Sequence, residues 1–174
     1  MASKNNDVQI KVQGLRDRKA EQAIIKGLVA FNRATAGRWP RGSITATATG
    51  KGGKLQGGLV GYISWGWLFV NVFWLDEQAR GRGAGARCIA AAEAEAERRG
   101  CHGVWLNTAS FQAPDFYRKQ GYKQLTRLAG YPPGHDYFWF YKKLKPAKPM
   151  AGSFPRPSGR PRPPRRQAVK NRRA

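Results

Sequence analysis

A glycine-rich basic turn offers the clearest chemistry in the sequence. It lies between an apolar run and an alanine-rich stretch, and it consists of Arg80, Gly81, Arg82, Gly83, Ala84 and Gly85. Glycine lets the backbone turn tightly and approach a ligand closely, and the free N–H groups and dipole at the start of a helix attract an anion. Because two arginines add positive charge, the turn predicts a phosphate-binding site at a helix N-terminus.

The spacing within this turn excludes two common nucleotide-binding motifs. A P-loop would continue with Gly-Lys-Ser or Gly-Lys-Thr, and no such continuation follows. A dinucleotide fingerprint would have a glycine at its third position and an acidic ribose partner in a later βαβ repeat, and the sequence has neither. A flexible basic turn without a ligand is the alternative interpretation.

Three side chains at the ends of predicted elements could move a proton. Asp76 and Glu77 follow directly after Leu75, and either carboxylate could take a proton from an amine through water. His135 follows Pro-Pro-Gly, and a neutral imidazole near pH 7 suits a base. An ordinary turn residue is the alternative interpretation for each of the three.

The sequence offers little support for metal, disulfide or membrane chemistry. Its two cysteines, Cys88 and Cys101, are too few for a disulfide scaffold, and no spacing of Cys and His indicates zinc. It contains no run of about 18 apolar residues, and its first residues lack the apolar segment of a secretory signal. We therefore expect no metal, no membrane association and a cytoplasmic location.

The pattern of apolar and turn-forming residues predicts alternating α and β elements. Asp17 is a candidate N-cap for a helix that continues to about Arg33. Trp67 to Leu75 is apolar on both faces, which predicts a central strand covered on both sides. Further strands are expected over residues 7–12, 44–49, 55–65, 103–108, 122–128 and 136–144, and further helices over residues 83–99 and 112–120.

Basic residues and prolines are concentrated at the C-terminus. The chain contains 32 Lys and Arg against 10 Asp and Glu, and residues 142–174 hold 12 of these basic residues, no acidic residue and 7 of the 11 prolines. With little apolar surface to bury, residues 145–174 are expected to form a disordered basic tail beside a domain of residues 1–144. Such a tail would bind nucleic acid non-specifically or a ribosome surface; a solubilising extension is the alternative.

Two segments in order resemble the GNAT acyltransferase superfamily. Arg80-x-x-Gly83-x-Gly85 after an apolar strand is similar to its acyl-CoA pyrophosphate loop, and the segment from Ser110 to Tyr122 resembles its second signature, a short helix ending in Tyr and followed by Gly-aromatic. Residues 131–135, Tyr-Pro-Pro-Gly-His, and the final strand resemble one bacterial branch of GNAT N-acetyltransferases. The resemblance covers about residues 56–144.

The resemblance implies a fold and a way of holding acetyl-CoA. The fold would be a mixed, mostly antiparallel sheet with flanking helices, in which strands 67–75 and 103–108 splay around the cosubstrate. The backbone of Leu75 would hold the pantetheine arm and the thioester carbonyl, and the amides from Arg80 to Gly85 would hold the pyrophosphate. Tyr117 would protonate the departing thiolate as a general acid; core packing is its alternative role. Ser110 stands where the family often has Asn, whose side chain reaches further toward the cofactor.

The expected activity is direct transfer of an acetyl group from acetyl-CoA to a primary amine of a small molecule or a peptide. Tyr117 is the candidate acid, and Glu77 and His135 are candidates for the base. The alternative is a nucleic-acid- or ribosome-associated protein that uses an acyltransferase fold as a scaffold for its basic tail. The sequence leaves the acceptor, the base and the oligomeric state open.

Deleting residues 145–174 separates these two functions. The deletion removes ten basic groups, so it should abolish most affinity for RNA or DNA, which full-length protein should itself lose steeply between about 50 and 200 mM salt because binding releases counterions. Stability and acetylation of a small amine should be unchanged. Fluorescence anisotropy on labelled RNA and acetyl-CoA consumption, each with intact and truncated protein, measure both effects. Undiminished RNA binding after truncation would favour the nucleic-acid function.

Overall fold

The computed structural model describes residues 8–145, and the chain divides after Arg38 into two units, which we describe separately. In the first unit, α1 spans Arg18–Ala36. Asp17 caps it as expected, because its carboxylate accepts hydrogen bonds from the backbone N–H groups of Lys19 and Ala20, both at 3.0 Å.

The prediction of a strand over residues 7–12 is wrong for residues 8–12, the part of it that the structure describes. Residues 8–13 form no strand, and none of the described strands pairs with them. Alternation alone does not make a strand, since its backbone groups need a partner strand to bond. Residue 7 and the predicted tail beyond Lys145 lie outside the described residues, so the boundary between 144 and 145 stays a prediction.

The second unit is built on a six-stranded sheet. Its strands are β1 (Gly42–Thr49), β2 (Leu55–Ser64), β3 (Trp67–Leu75), β4 (Gly103–Ala109), β5 (Lys123–Ala129) and β6 (Asp136–Lys143), and its helices are α2 (Ala84–Arg98) and α3 (Pro114–Lys119). The strand order is β1-β2-β3-β4-β6-β5, with a parallel pairing between β3 and β4 and antiparallel pairings elsewhere. The expected mixed, mostly antiparallel α/β fold is confirmed.

Helix α2 is the crossover that makes β3 and β4 parallel, since parallel neighbours cannot be joined by a hairpin. Its buried positions carry mostly small side chains, which let the helix lie close to the sheet; they are Ala84, Cys88, Ile89, Ala92 and Ala96. All of them except Ala84 share one apolar cluster with side chains from five strands, among them Leu59, Leu68, Val104 and Phe140. We call this side of the sheet the core face.

The opposite side of the sheet is rich in aromatic rings, because successive side chains of a strand alternate between the two faces. We call it the aromatic face and define it by Tyr62, Phe69, Trp74, Trp105 and Trp139. Ring centroids of Phe69 and Trp105 lie 4.1 Å apart, and those of Tyr62 and Phe69 lie 5.1 Å apart.

The prediction that β3 is covered on both sides is wrong for the second half of the strand. Val72 and Trp74, on the aromatic face, are 53 % and 56 % exposed, whereas Leu68 and Val70, on the core face, are buried. An apolar strand is covered only where another element packs on it, and α2 packs on the core face alone.

A half-buried carboxylate ties α2 to the rest of the second unit. Glu93 accepts a hydrogen bond from the Tyr122 hydroxyl at 2.8 Å and an ion-paired contact from Lys142 Nζ at 2.7 Å. Burial and the adjacent carboxylate raise the pKa of Tyr122, so this phenol stays neutral and donates. The three side chains join α2, the turn after α3 and β6.

Among the described residues, no helix is long and apolar enough to cross a membrane.

Candidate active site

The two central strands, β3 and β4, separate halfway along their length. The parallel pairing of β3 with β4 runs from Trp67 and Gly103 to Val70 and Leu106 and ends there, although both strands continue. On its other edge, β3 carries one extra residue, Asn71, between the partners of Val60 and Gly61. The expected splay of these two strands is therefore present.

A cavity of about 890 Å³ lies at the point of separation. Part of its wall belongs to the core face, with side chains from β3, β4 and α3: Phe73, Leu75, Thr108, Phe116 and Tyr117. Another part belongs to the aromatic face: Val72, Trp74, Asn107 and Tyr137. The cavity thus passes between the strands and is lined from both sides of the sheet.

The glycine-rich turn forms the third part of this wall. Arg80 Nε donates a hydrogen bond to the carbonyl of Leu75 at 2.9 Å, which ties the turn to the end of β3. Gly81 and Gly83 have φ angles of 70° and 72°, in the left-handed region that favours glycine. The hydrogen bond of Arg80 and the left-handed glycines hold this turn at the cavity, directly before α2.

The first turn of α2 presents unbonded backbone N–H groups. Gly83 is the N-cap and offers no side-chain acceptor, and the first intrahelical bond runs from Arg87 N to Gly83 O at 3.1 Å. Gly85 lets this turn lie close to α3, because a Cβ there would sit 3.2 Å from Phe116 Cε2. Free N–H groups, a helix dipole and Arg80 make a site suited to a pyrophosphate.

Tyr117 is held in the cavity wall by other rings. Its side chain is 7 % exposed and lies 5.2 Å from Phe116, 5.9 Å from Tyr122 and 6.2 Å from Phe140, measured between ring centroids. Burial raises the pKa of Tyr117 to about 12. Its hydroxyl is therefore protonated at neutral pH and available as a hydrogen-bond donor.

The two candidate bases lie outside the cavity wall. Glu77 is exposed in the short 3₁₀ turn after β3, and Asp76 uses its carboxylate to accept the N–H of Gln78 at 2.7 Å. His135 Nδ1 lies 3.4 Å from Ser110 Oγ, and its ring packs edge-on against Phe111 at 4.8 Å. None of the described lining residues carries a carboxylate or an imidazole.

The residues predicted to bind the cofactor also fall into two groups: some line the cavity and others do not. Six of the residues named from the sequence line the cavity: Leu75, Arg80, Gly81, Gly83, Gly85 and Tyr117. Arg82, Ala84 and Ser110 do not line it; Ala84 is buried, and Ser110 uses its hydroxyl to accept the Asp136 N–H at 3.2 Å. The described residues contain no group of three or more potential metal ligands. The functional roles of these residues remain predictions.

Sequence reasoning missed a hydrogen-bonded pair in the cavity wall. The Tyr137 hydroxyl donates to Asn107 Oδ1 at 2.7 Å, between β6 and β4. A signal was present: Asn71 is the one polar residue of β3, and Asn107 interrupts the apolar run of β4. Both asparagines stand immediately after the last paired residues, so a polar residue within an apolar strand marks the point of separation.

The known proteins that are similar to this chain are acetyltransferases. Residues 17–122 match the model of the acetyltransferase (GNAT) family. The chain is 50 % identical over 98 residues to a blasticidin-S acetyltransferase of Streptomyces morookaense, covering 56 % of this chain and 72 % of that protein. It is 33 % identical over 128 residues to an acetyltransferase of Agrobacterium fabrum, covering 74 % and 93 %.

Among solved structures, one from Agrobacterium tumefaciens described as an acetyltransferase superimposes with a TM-score of 0.72. The sequence identity is 31 %, and the match covers 79 % of this chain and all of that chain.

Two substitutions of Gly83 test the phosphate site while separating charge from backbone strain. Asp and Asn are similar in size and both tolerate a positive φ, but only Asp adds a negative charge where a pyrophosphate would lie. Calorimetry with acetyl-CoA should show at least a tenfold loss of affinity for Gly83→Asp, about 1.4 kcal/mol, and a clearly smaller loss for Gly83→Asn. Equal affinities of the two variants would exclude an anion at this turn.

Proposed function

The chain belongs to the GNAT family of acetyltransferases, and we propose that it transfers an acetyl group directly from acetyl-CoA to the primary amine of a small-molecule acceptor. The cosubstrate acetyl-CoA follows from the family. One observation carries the proposal of direct transfer: a single cavity between the separated strands is lined from both faces of the sheet. Two reactants can therefore meet in it without a covalent enzyme intermediate.

The donor would enter on the side of α2. The free N–H groups at the start of α2 and Arg80 would hold the pyrophosphate. Beyond Val70, the edge of β3 that faced β4 is unpaired, so its backbone groups as far as Leu75 are available to the pantetheine arm. A backbone N–H from this edge would also stabilise the negative charge that develops on the thioester oxygen.

Tyr117 would act on the leaving sulfur. When the amine nitrogen bonds to the acetyl carbon and the C–S bond breaks, the electron pair goes to sulfur as a thiolate. A pKa of about 12 for Tyr117 against about 8.5 for an ordinary thiol makes full proton transfer uphill by roughly 5 kcal/mol. We therefore assign Tyr117 the role of a hydrogen-bond donor that stabilises the thiolate, with the final proton coming from solvent.

The proton lost by the amine would leave through water. Glu77 and His135 lie outside the cavity wall, so either could accept that proton only through a chain of water molecules. This arrangement requires the acceptor amine to enter the cavity in its neutral form, because only the neutral nitrogen has a free electron pair.

The identity of the acceptor is best approached through the relative that is 50 % identical. That protein is a blasticidin-S acetyltransferase, which supports a small-molecule amine as the acceptor here and makes blasticidin S the first compound to test. Full-length protein should release CoA thiol from acetyl-CoA when blasticidin S is added and should yield a product heavier by one acetyl group. Turnover of a peptide amine without turnover of any small amine would overturn the proposed acceptor class.

Replacing Tyr117 by Phe keeps the ring and removes only the hydroxyl. Loss of a hydrogen bond to a charged leaving group should lower kcat by about 10- to 100-fold, while the acetyl-CoA affinity measured by calorimetry should change little. Tyr122→Phe is the matched control, since that hydroxyl bonds Glu93 and not a substrate. It should lower the free energy of unfolding and leave kcat near its original value. Equal kcat values for the two variants would make Tyr117 a packing residue.

A further inference from the structure

The cavity wall on the aromatic face is built from rings that the fold does not need for its core. Trp74 and Phe111 line the cavity and are 56 % and 59 % exposed. Core rings of this unit, such as Phe140, are almost fully buried. Large apolar rings left open on a cavity wall indicate a ligand that covers them.

A third ring of this wall is fixed in position. The Tyr137 hydroxyl is held by Asn107 Oδ1 at 2.7 Å, and its ring packs edge-on against Tyr131 at 5.2 Å and Trp139 at 5.1 Å. This bond uses the acceptor atom of Asn107 and leaves the N–H groups of its amide without a hydrogen bond among the described residues. The wall therefore combines an aromatic surface with the amide N–H groups of Asn107 as a neutral donor.

We propose that the acceptor is an amine that carries a flat aromatic ring, bound against Trp74 and Tyr137 with Asn107 as its polar contact. This inference rests on the proposed transfer to a small-molecule amine and specifies the class of that amine. Aromatic or heteroaromatic amines, including those that carry a carbonyl or a carboxylate for the Asn107 amide, are favoured.

One pair of amines tests the proposal on the unmodified full-length protein: 2-phenylethylamine and 2-cyclohexylethylamine, which differ in flatness. The kcat/KM values, compared at equal concentrations of the neutral attacking amine, should favour the phenyl compound by about five- to tenfold.

Equal kcat/KM values for the two amines would overturn the aromatic acceptor and leave the proposed acetyl transfer standing. A preference for the cyclohexyl compound would also overturn it, since the wall would then select apolar volume and not a flat ring.

Substitution of Trp74 tests the wall itself. Trp74→Leu should reduce the preference for the phenyl compound to less than twofold while leaving acetyl-CoA affinity unchanged. Trp65→Leu is the matched control: Trp65 is 49 % exposed in the turn between β2 and β3 and does not line the cavity, so the phenyl preference should stay at its original value. An unchanged preference in Trp74→Leu would remove Trp74 from acceptor recognition.

Discussion

The separation of β3 from β4 is the constraint on which the rest of the structure depends. Backbone N–H and C=O groups inside a sheet have to find partners, yet the bonding between these neighbours ends after Val70 and Leu106. Each strand keeps its other neighbour, β2 or β6, so only one edge of each is released. The released edges line the cavity, and a cosubstrate with its own amide groups can replace the missing strand there.

Helix α2 makes this gap compatible with a stable fold. It runs from the end of β3 back to the start of β4 and covers the core face with mostly small side chains. Glu93 then links it to Tyr122 and Lys142, on the far side of β4. The same helix begins with the glycine-rich turn, so the element that braces the separated strands also carries the proposed anion site.

Local chemistry made part of this arrangement predictable. The cap at Asp17 and the glycine-rich start of α2 depend on neighbouring residues only, and both were found at the expected positions. The Asn107–Tyr137 pair joins residues that are 30 positions apart and depends on the register of β4 with β6, which no local pattern contains. Glu77 and His135 were chosen for their chemistry, but neither lines the cavity, and the sequence of a short turn does not reveal which residues reach a cavity.

Side chains alternate between the two faces along β3 and β4, so the proposed donor side and the proposed acceptor side depend on different residues. On β3, Phe73 belongs to the proposed donor side, and its neighbours Val72 and Trp74 belong to the proposed acceptor side; on β4, Thr108 and Asn107 are divided in the same way. Because adjacent residues point in opposite directions, a mutation at one position alters one side and spares the other. A lineage with this architecture can exchange acceptors through single mutations at alternate codons and inherit its donor unchanged.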